Sequence, residues 1–225
     1  MRFALLEGRR VEAKPKQRAT CPGCQSEVVA KCGKNNAWHW SHKARAHCDP
    51  WWETEGEWHR NWKNRFPVDW QEIICDDSAS GERHIADVKI PSGLVIEFQH
   101  STISPDEVKS REEYYKSIIW VIDGCKNDFD RVNFSLSHSR PNEEGLAHFT
   151  WYGRSQIFKR WHTTKPVFID FGSKHGFWRV LHFDTVNKKG IVGLVNIDKF
   201  VNAVCSGTTD FSSACSGQVI LATSL

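Results

Sequence analysis

Apolar and polar positions along this chain fall into short runs with a period of two, broken by a few stretches with helical spacing. Residues 2–6 predict a strand, and Gly8-Arg9-Arg10-Val11 a turn and a second strand. Glu27-Val-Val-Ala-Lys-Cys32 predicts another, followed by a turn at Gly33-Lys34-Asn35-Asn36 and a short strand through Trp38-His39-Trp40 that leads to His42. The spacing then predicts a helix over 52–65. Trp58, Trp62 and Arg65 share one face of it, and His59 and Lys63 another. Thr54 with Glu57 three residues later has the capping-box arrangement, and Pro67 ends the helix. Strands are expected at 71–75, 84–90 and 94–99, the last two joined by Pro91-Ser92-Gly93. A helix over 105–118 has Ser104 as N-cap and Glu107 to close the box, and Ile118-Ile-Trp-Val-Ile122 reads as a buried strand. Beyond this, 166–171, 177–183 and 191–197 predict strands and 198–204 a short helix. Residues 138–165 read as an exposed insertion of loop and helix, and the small polar residues from Ser206 as a flexible tail.

The expected class is therefore α/β: a mixed sheet flanked by helices, preceded by a small separate module. We divide the chain into 1–50, a basic module; 51–135, an α/β core; and 136–225, a β-rich extension. At 225 residues with 40% apolar content, such a core is affordable. The net charge of +3 says little about partners, but its distribution says more. Before Asp49, the acids Glu7, Glu12 and Glu27 face many Lys and Arg, among them Arg9, Arg10, Lys14 and Lys16. That end suits a phosphate backbone, and suits a merely solvated basic face as well. No apolar run is long enough to cross a bilayer, and the first residues lack a long apolar core with a cleavage site. A cytoplasmic location is expected. The eight cysteines are spread along the chain rather than packed into a small scaffold, which fits metal binding in a reducing compartment.

Two clusters carry chemistry. In the first, Cys21-Pro-Gly-Cys24 is answered by His39-Trp-Ser-His42. One tight turn can aim both thiolates at one point, and thiolate with imidazole is the ligand set of a closed structural zinc site. Cys21, Cys24, His39 and His42 are the expected ligands, with Cys32, His47 and Cys48 as competitors. The close His spacing argues for a knuckle or treble-clef-like module. In the second, strand parity puts Glu97 and Gln99 on one face and Ile96 and Phe98 on the other, while Asp87 sits on the preceding strand. Asp87 and Glu97 suit a hard cation such as Mg²⁺ or Mn²⁺. They suit the solvent face of an amphipathic hairpin equally well.

With Glu57-Trp-His59 to Lys63, Ala86-Asp87-Val and Ile96-Glu97-Phe-Gln99-His-Ser101, these clusters resemble the competence protein CoiA-like nuclease family, over roughly residues 20–125. Members of that family resemble the PD-(D/E)XK nuclease fold. The resemblance implies a metal-dependent nuclease that hydrolyses phosphodiester bonds of DNA, with RNA as a further substrate class. Asp87 and Glu97 would hold Mg²⁺ or Mn²⁺, and Glu57 would support them. Gln99 stands where the wider superfamily often has Lys, and Lys63 is the first candidate for the missing positive charge. The alternative is a noncatalytic nucleic-acid-binding protein that keeps the nuclease fold. The C-terminal region is a candidate interface for a protein partner or a second copy.

Overall fold

In a computed structural model of the chain, residues 1–34, 37–44, 48–51, 53, 55–77, 81–161, 164–208 and 211 are described. They form two compact units, Met1–Lys89 and Ile90–Leu225. Among these residues no helix is long and apolar enough to cross a membrane.

The first unit opens with a five-stranded sheet in the order β2-β1-β3-β4-β5, made of β1 (Phe3–Leu6), β2 (Arg9–Glu12), β3 (Arg18–Thr20), β4 (Glu27–Lys31) and β5 (His39–His42). The β1–β2 hairpin turns on Glu7 and Gly8, both at positive φ (52° and 76°). Two successive left-handed residues give the turn whose twist matches that of the strands. Met1, Ala4, Ala13, Ala19, Cys21, Val28 and Trp40 form the core under this sheet. The Trp40 indole N–H donates to the Val11 carbonyl at 3.0 Å, so the ring is buried without leaving its polar edge unpaired. Helix α1 (Glu57–Lys63) follows, and then the antiparallel strands β6 (Gln71–Asp76) and β7 (Arg83–Lys89). The helix starts at N-cap Gly56, so the capping box expected from Thr54 does not set its start; Thr54 itself lies outside the described residues.

The compact units divide at Lys89 rather than at residues 50 and 135. One reason is that β6 and β7 are tied to the N-terminal sheet. Both carboxylate oxygens of Glu72 accept from the Arg2 amide, and one also accepts from the Phe3 amide, at 2.8–3.1 Å. The Arg83 guanidinium donates to the Gly23 carbonyl at 2.6 Å.

The second unit holds strands in the order β10-β13-β12-β11-β9-β8. These are β8 (Val95–Gln99), β9 (Ile118–Asp123), β10 (Leu146–Thr150), β11 (Val167–Asp170), β12 (Phe177–Asp184) and β13 (Lys189–Val195). Helix α2 (Pro105–Tyr115) joins β8 to β9, which are parallel, and β11 is parallel to β9. As expected, the Ser104 hydroxyl caps α2 by accepting from the Glu107 amide at 3.1 Å. Every residue of β8 and β9 is buried; the apolar run of β9 predicts this for a parallel strand, whereas β8 buries Glu97 and Gln99 as well. Helices α3 (Asp128–Ser137), α4 (Ile157–Arg160) and α5 (Ile197–Cys205) complete the unit. The segment expected to be an exposed insertion supplies β10, which pairs with β13, and α4. It also contributes Phe149 and Phe158 to a ring cluster around Phe134.

Candidate metal centre and flanking charge clusters

The chain between Cys21 and Ser26 is a tight knuckle. The Cys21 amide donates to the Ser26 carbonyl at 2.8 Å, and the Gln25 amide to the Cys21 carbonyl at 3.0 Å. Gln25 takes a positive φ of 61° to close it. Across from this turn, β5 presents His42, and the chain after it brings in Cys48. The ligand atoms of Cys21, Cys24, His42 and Cys48 all lie within 4.8 Å of one another. Cys21 Sγ is 3.5 Å from Cys48 Sγ, and Cys24 Sγ is 3.2 Å from His42 Nε2. Zinc–sulfur bonds of about 2.3 Å in a tetrahedron put sulfurs roughly 3.8 Å apart, so three thiols and an imidazole at this spacing fit a zinc ion. A side chain on Gly23 would sit 3.3 Å from the Cys48 sulfur, which explains the small residue in the turn.

The three thiols also act on one another electrostatically. Burial pushes the Cys21 thiol up, and burial together with the neighbouring Cys21 and Cys24 pushes Cys48 far up. Cys24 is also opposed by burial, but hydrogen bonds from Ser26, Cys48 and His42 bring it down to about 6. Three thiolates this close need a dication to coexist.

His39 does not join them; Cys48 takes the fourth place. The reason is strand parity. His39 and His42 are an odd number of residues apart on β5, so their side chains leave opposite faces. His42 shares a face with the buried Trp40, whereas His39 Nδ1 bonds to the Ala37 carbonyl at 2.9 Å. Cys32 packs beside the core as an apolar residue, and His47 lies outside the described residues.

Asp49, next to the last ligand, had not been singled out in the sequence. Its Oδ1 accepts from the Trp51 amide and pairs with His84 Nδ1, both at 2.9 Å, and its Oδ2 accepts from the Ile85 amide at 2.8 Å. Trp51 stacks on His84 with ring centroids 3.3 Å apart. Burial opposes the Asp49 charge, but these donors hold its carboxyl below the ordinary range. Asp49 thus fixes the Cys48 segment against β7.

On the same unit, Lys63 ends α1 and is almost fully buried. Its Nζ lies 2.8 Å from Glu55, 3.0 Å from Glu72 and 3.6 Å from Asp87. Burial opposes its charge, yet Glu72, Asp87 and Glu55 raise its pKa well above the ordinary lysine value. Burial also opposes the Glu72 charge, but Lys63, the N-terminal ammonium and the Arg2 and Phe3 amides bring Glu72 to about 2. Lys63 is therefore a fixed internal cation. Glu57, expected to support Asp87, is exposed in the first turn of α1, and Glu55 takes the position beside Lys63 instead.

On the second unit, Glu97 and Gln99 are both buried on β8. Glu97 Oε2 accepts from Arg111 at 3.0 Å, and Gln99 donates its side-chain amide to the Ser101 carbonyl at 2.9 Å. Arg111 also reaches Glu107 at 2.5 Å, so a buried guanidinium balances two carboxylates. Asp87 and Glu97 thus each have a protein cation against them. Among the described residues, the Cys21, Cys24, His42 and Cys48 group is where metal-ligand atoms gather.

The basic face is smaller than the sequence suggests. The Arg10 guanidinium donates to the Val68 and Gln71 carbonyls and lies over the Phe3 ring at 3.9 Å, so it holds the fold. Arg18 and Lys43 both pair with Glu27. Arg9, Lys14 and Lys16 are exposed.

Removing the Lys63 charge should be costly. Lys63→Met is expected to destabilise the protein by about 3–5 kcal/mol, since it leaves buried carboxylates facing one another. Glu72 has a depressed pKa, so its contribution is full above its unfolded value near 4.3 and is lost as pH falls towards 2. The penalty of the variant should therefore be largest near neutral pH and shrink in acid. Urea midpoints at pH 7 and pH 4 measure this; a penalty that does not change with pH would contradict the arrangement.

No curated protein and no solved structure matches the chain. Residues 7–50 match the family model described as Competence protein CoiA, N-terminal domain. That segment contains all four clustered ligands, Cys21, Cys24, His42 and Cys48, so over these residues the chain is similar to that domain.

Proposed function

We propose that this protein is a metal-dependent DNA nuclease in which a zinc-ordered N-terminal module accompanies an α/β core. The family match carries the reading: the matched module belongs to a competence protein, and competence concerns DNA. The element order adds support. A helix (α1), three strands (β6, β7, β8), a helix (α2) and a strand parallel to the third (β9) follow one another as the resemblance to a PD-(D/E)XK core requires. Asp87, Glu97 and Gln99 lie on the second and third of those strands.

Carboxylate oxygens have the right chemistry for Mg²⁺ or Mn²⁺. When bound, such an ion supplies Lewis acidity and charge neutralisation at a phosphate. The residues themselves set the conditions. Lys63 lies 3.6 Å from Asp87 and Arg111 3.0 Å from Glu97, so any cation held at either carboxylate must share or displace these partners. Gln99 cannot take a proton, so its part is to orient through its amide. The test is a cleavage assay on linear, circular and single-stranded DNA, with and without Mg²⁺ or Mn²⁺. Absence of metal-dependent cleavage in the folded, zinc-loaded protein would overturn the proposal.

A noncatalytic nucleic-acid-binding protein is the second reading. The observation in its favour is that both carboxylates are already balanced by internal cations. In either case Arg9, Lys14 and Lys16 are the residues to touch phosphate. Changing the three to Gln should weaken DNA binding and lower the slope of log affinity against log salt, by up to about 0.9 per lost contact on duplex DNA. Binding isotherms at several salt concentrations read this, and an unchanged slope would remove these residues from the interface.

A further inference from the structure

The second unit contains a cavity of about 370 Å³ that the proposed nuclease residues do not line. It opens where β8 and β9 end, and its wall is completed by residues 154–161 from the C-terminal half of the chain. Its floor is rigid. The Asp123 carboxylate accepts from the Cys125 amide at 2.8 Å, and the Gly124 amide donates to the Asp170 carbonyl at 2.9 Å. Gly124 must be glycine here, because a Cβ would stand 2.6 Å from the Phe171 ring.

The cavity carries polar groups of opposed charge. Lys126, Arg154 and Arg160 all line it. Asp130, on the first turn of α3, lines it too; its residue is 6% exposed and its Oδ1 has no hydrogen-bond partner among the described residues. The same is true of the buried Arg160 Nε. Two residues that line one cavity thus each carry a buried polar atom without a partner, the kind of group that a ligand or solvent can satisfy. A fourth feature is an ordered imidazole. His100 Nδ1 lies 2.7 Å from Asp123 Oδ2, so a buried carboxylate sets the orientation of a ring that is itself 44% exposed. Burial raises the Asp130 carboxyl above its ordinary pKa, opposed by a hydrogen bond with the Ser155 side chain.

We propose that this cavity binds a phosphomonoester whose carrier bears a hydroxyl or amino group. The three cationic side chains match a phosphate dianion, since guanidinium and ammonium make the strong charge-assisted bonds to it. Asp130 matches the hydroxyl or amino group, the partner a buried carboxyl needs. A plain inorganic anion would satisfy the cations and leave Asp130 Oδ1 without a partner. A nucleoside 5′-phosphate carries both groups, and the cavity lies within the size range of small-molecule sites. The same chemistry comes from a free mononucleotide or from the phosphorylated 5′ end of a strand. The choice of a nucleoside carrier rests on the nuclease reading; the phosphate chemistry of the cavity does not.

The experiment is isothermal titration of the full-length, zinc-loaded protein without Mg²⁺ or Mn²⁺, so that binding is read apart from cleavage. The probes are 5′-dAMP, deoxyadenosine and a trinucleotide with or without a 5′-phosphate. The phosphorylated probes should bind saturably, and the unphosphorylated ones at least about tenfold more weakly, the worth of one charge-assisted contact. Arg160→Gln, and separately Lys126→Gln with Arg154→Gln, should each weaken the phosphorylated probes about tenfold while the melting temperature holds. Asp130→Asn should weaken 5′-dAMP more than inorganic phosphate. Tighter binding of the phosphorylated trinucleotide than of 5′-dAMP identifies a strand end, and the reverse a free nucleotide; both support the site. Equal binding with and without the phosphate, no saturation at millimolar probe, or folded variants that bind as the wild type does would each overturn it. A protein that binds these probes but cleaves nothing would refute the nuclease reading and leave this site standing.

Discussion

Replacing Cys48 by Ala should strip the metal from the N-terminal module and unfold its sheet, while replacing His39 by Ala should leave both in place. The two residues are close in sequence and both are metal-binding types, so the comparison isolates geometry from composition. Cys48 Sγ stands 3.5 Å from Cys21 Sγ inside the four-ligand group, whereas His39 is turned away and bonded to Ala37. The sheet core is small: Ala4, Ala13, Ala19 and Cys21 surround Trp40, Val28 and Met1. A core of that kind leaves much of the folding energy to the ion, whose apparent binding in small finger peptides is worth roughly 10–16 kcal/mol. Purified wild type and His39→Ala should each hold about one zinc per chain. Cys48→Ala should hold substoichiometric zinc and lose the Trp40 environment, read by tryptophan fluorescence and amide NMR. His39→Ala should cost no more than about 1 kcal/mol, the worth of one hydrogen bond. Full zinc in Cys48→Ala, or loss of zinc in His39→Ala alone, would show that the ligand set is wrong.

The contrast explains what the sequence could and could not tell. Apolar runs mark strands such as β9, whose five apolar residues Ile118–Ile122 are all buried, but they do not show that β8 also buries Glu97 and Gln99. The ligand set is harder to read, because spacing alone carries no parity. Once Trp38 to His42 is taken as a strand, two histidines three apart cannot face one ion, and that much was legible. Which distant cysteine fills the place was not, since it depends on how Asp49 clips the chain to His84 and Ile85. Helix α3 was missed for a different reason. Its apolar Phe129, Val132 and Leu136 are exposed, and its polar Asp130 is buried. A pattern read as apolar-inside is inverted there. The supporting acid beside Asp87 was misplaced by two residues because α1 begins after Gly56, which leaves Glu57 facing solvent and Glu55 beside Lys63.

Cleavage of DNA should disappear in Asp87→Asn and in Glu97→Gln while the fold and DNA binding persist. The choice of amides is deliberate. Glu97 balances the buried Arg111, and truncation to Ala would leave that guanidinium uncompensated at a cost of about 3–5 kcal/mol, enough to confuse unfolding with lost chemistry. An amide keeps the shape and a carbonyl acceptor for Arg111, and removes the charge that a hard cation requires. Asp87→Asn is milder still, because Lys63 retains Glu55 and Glu72. Gln99→Ala separates orientation from charge: it should damage turnover while divalent-ion binding is largely kept, since an amide is a weak ligand beside a carboxylate. DNA affinity should survive in all three, because the exposed Arg9, Lys14 and Lys16 are elsewhere. Rates are to be compared at equal protein and Mn²⁺, with binding measured on the same samples and folding checked by circular dichroism. Wild-type rates in both folded carboxylate variants would rule out this active site; loss of cleavage with binding retained would establish that the two carboxylates are needed for the chemistry rather than for the fold.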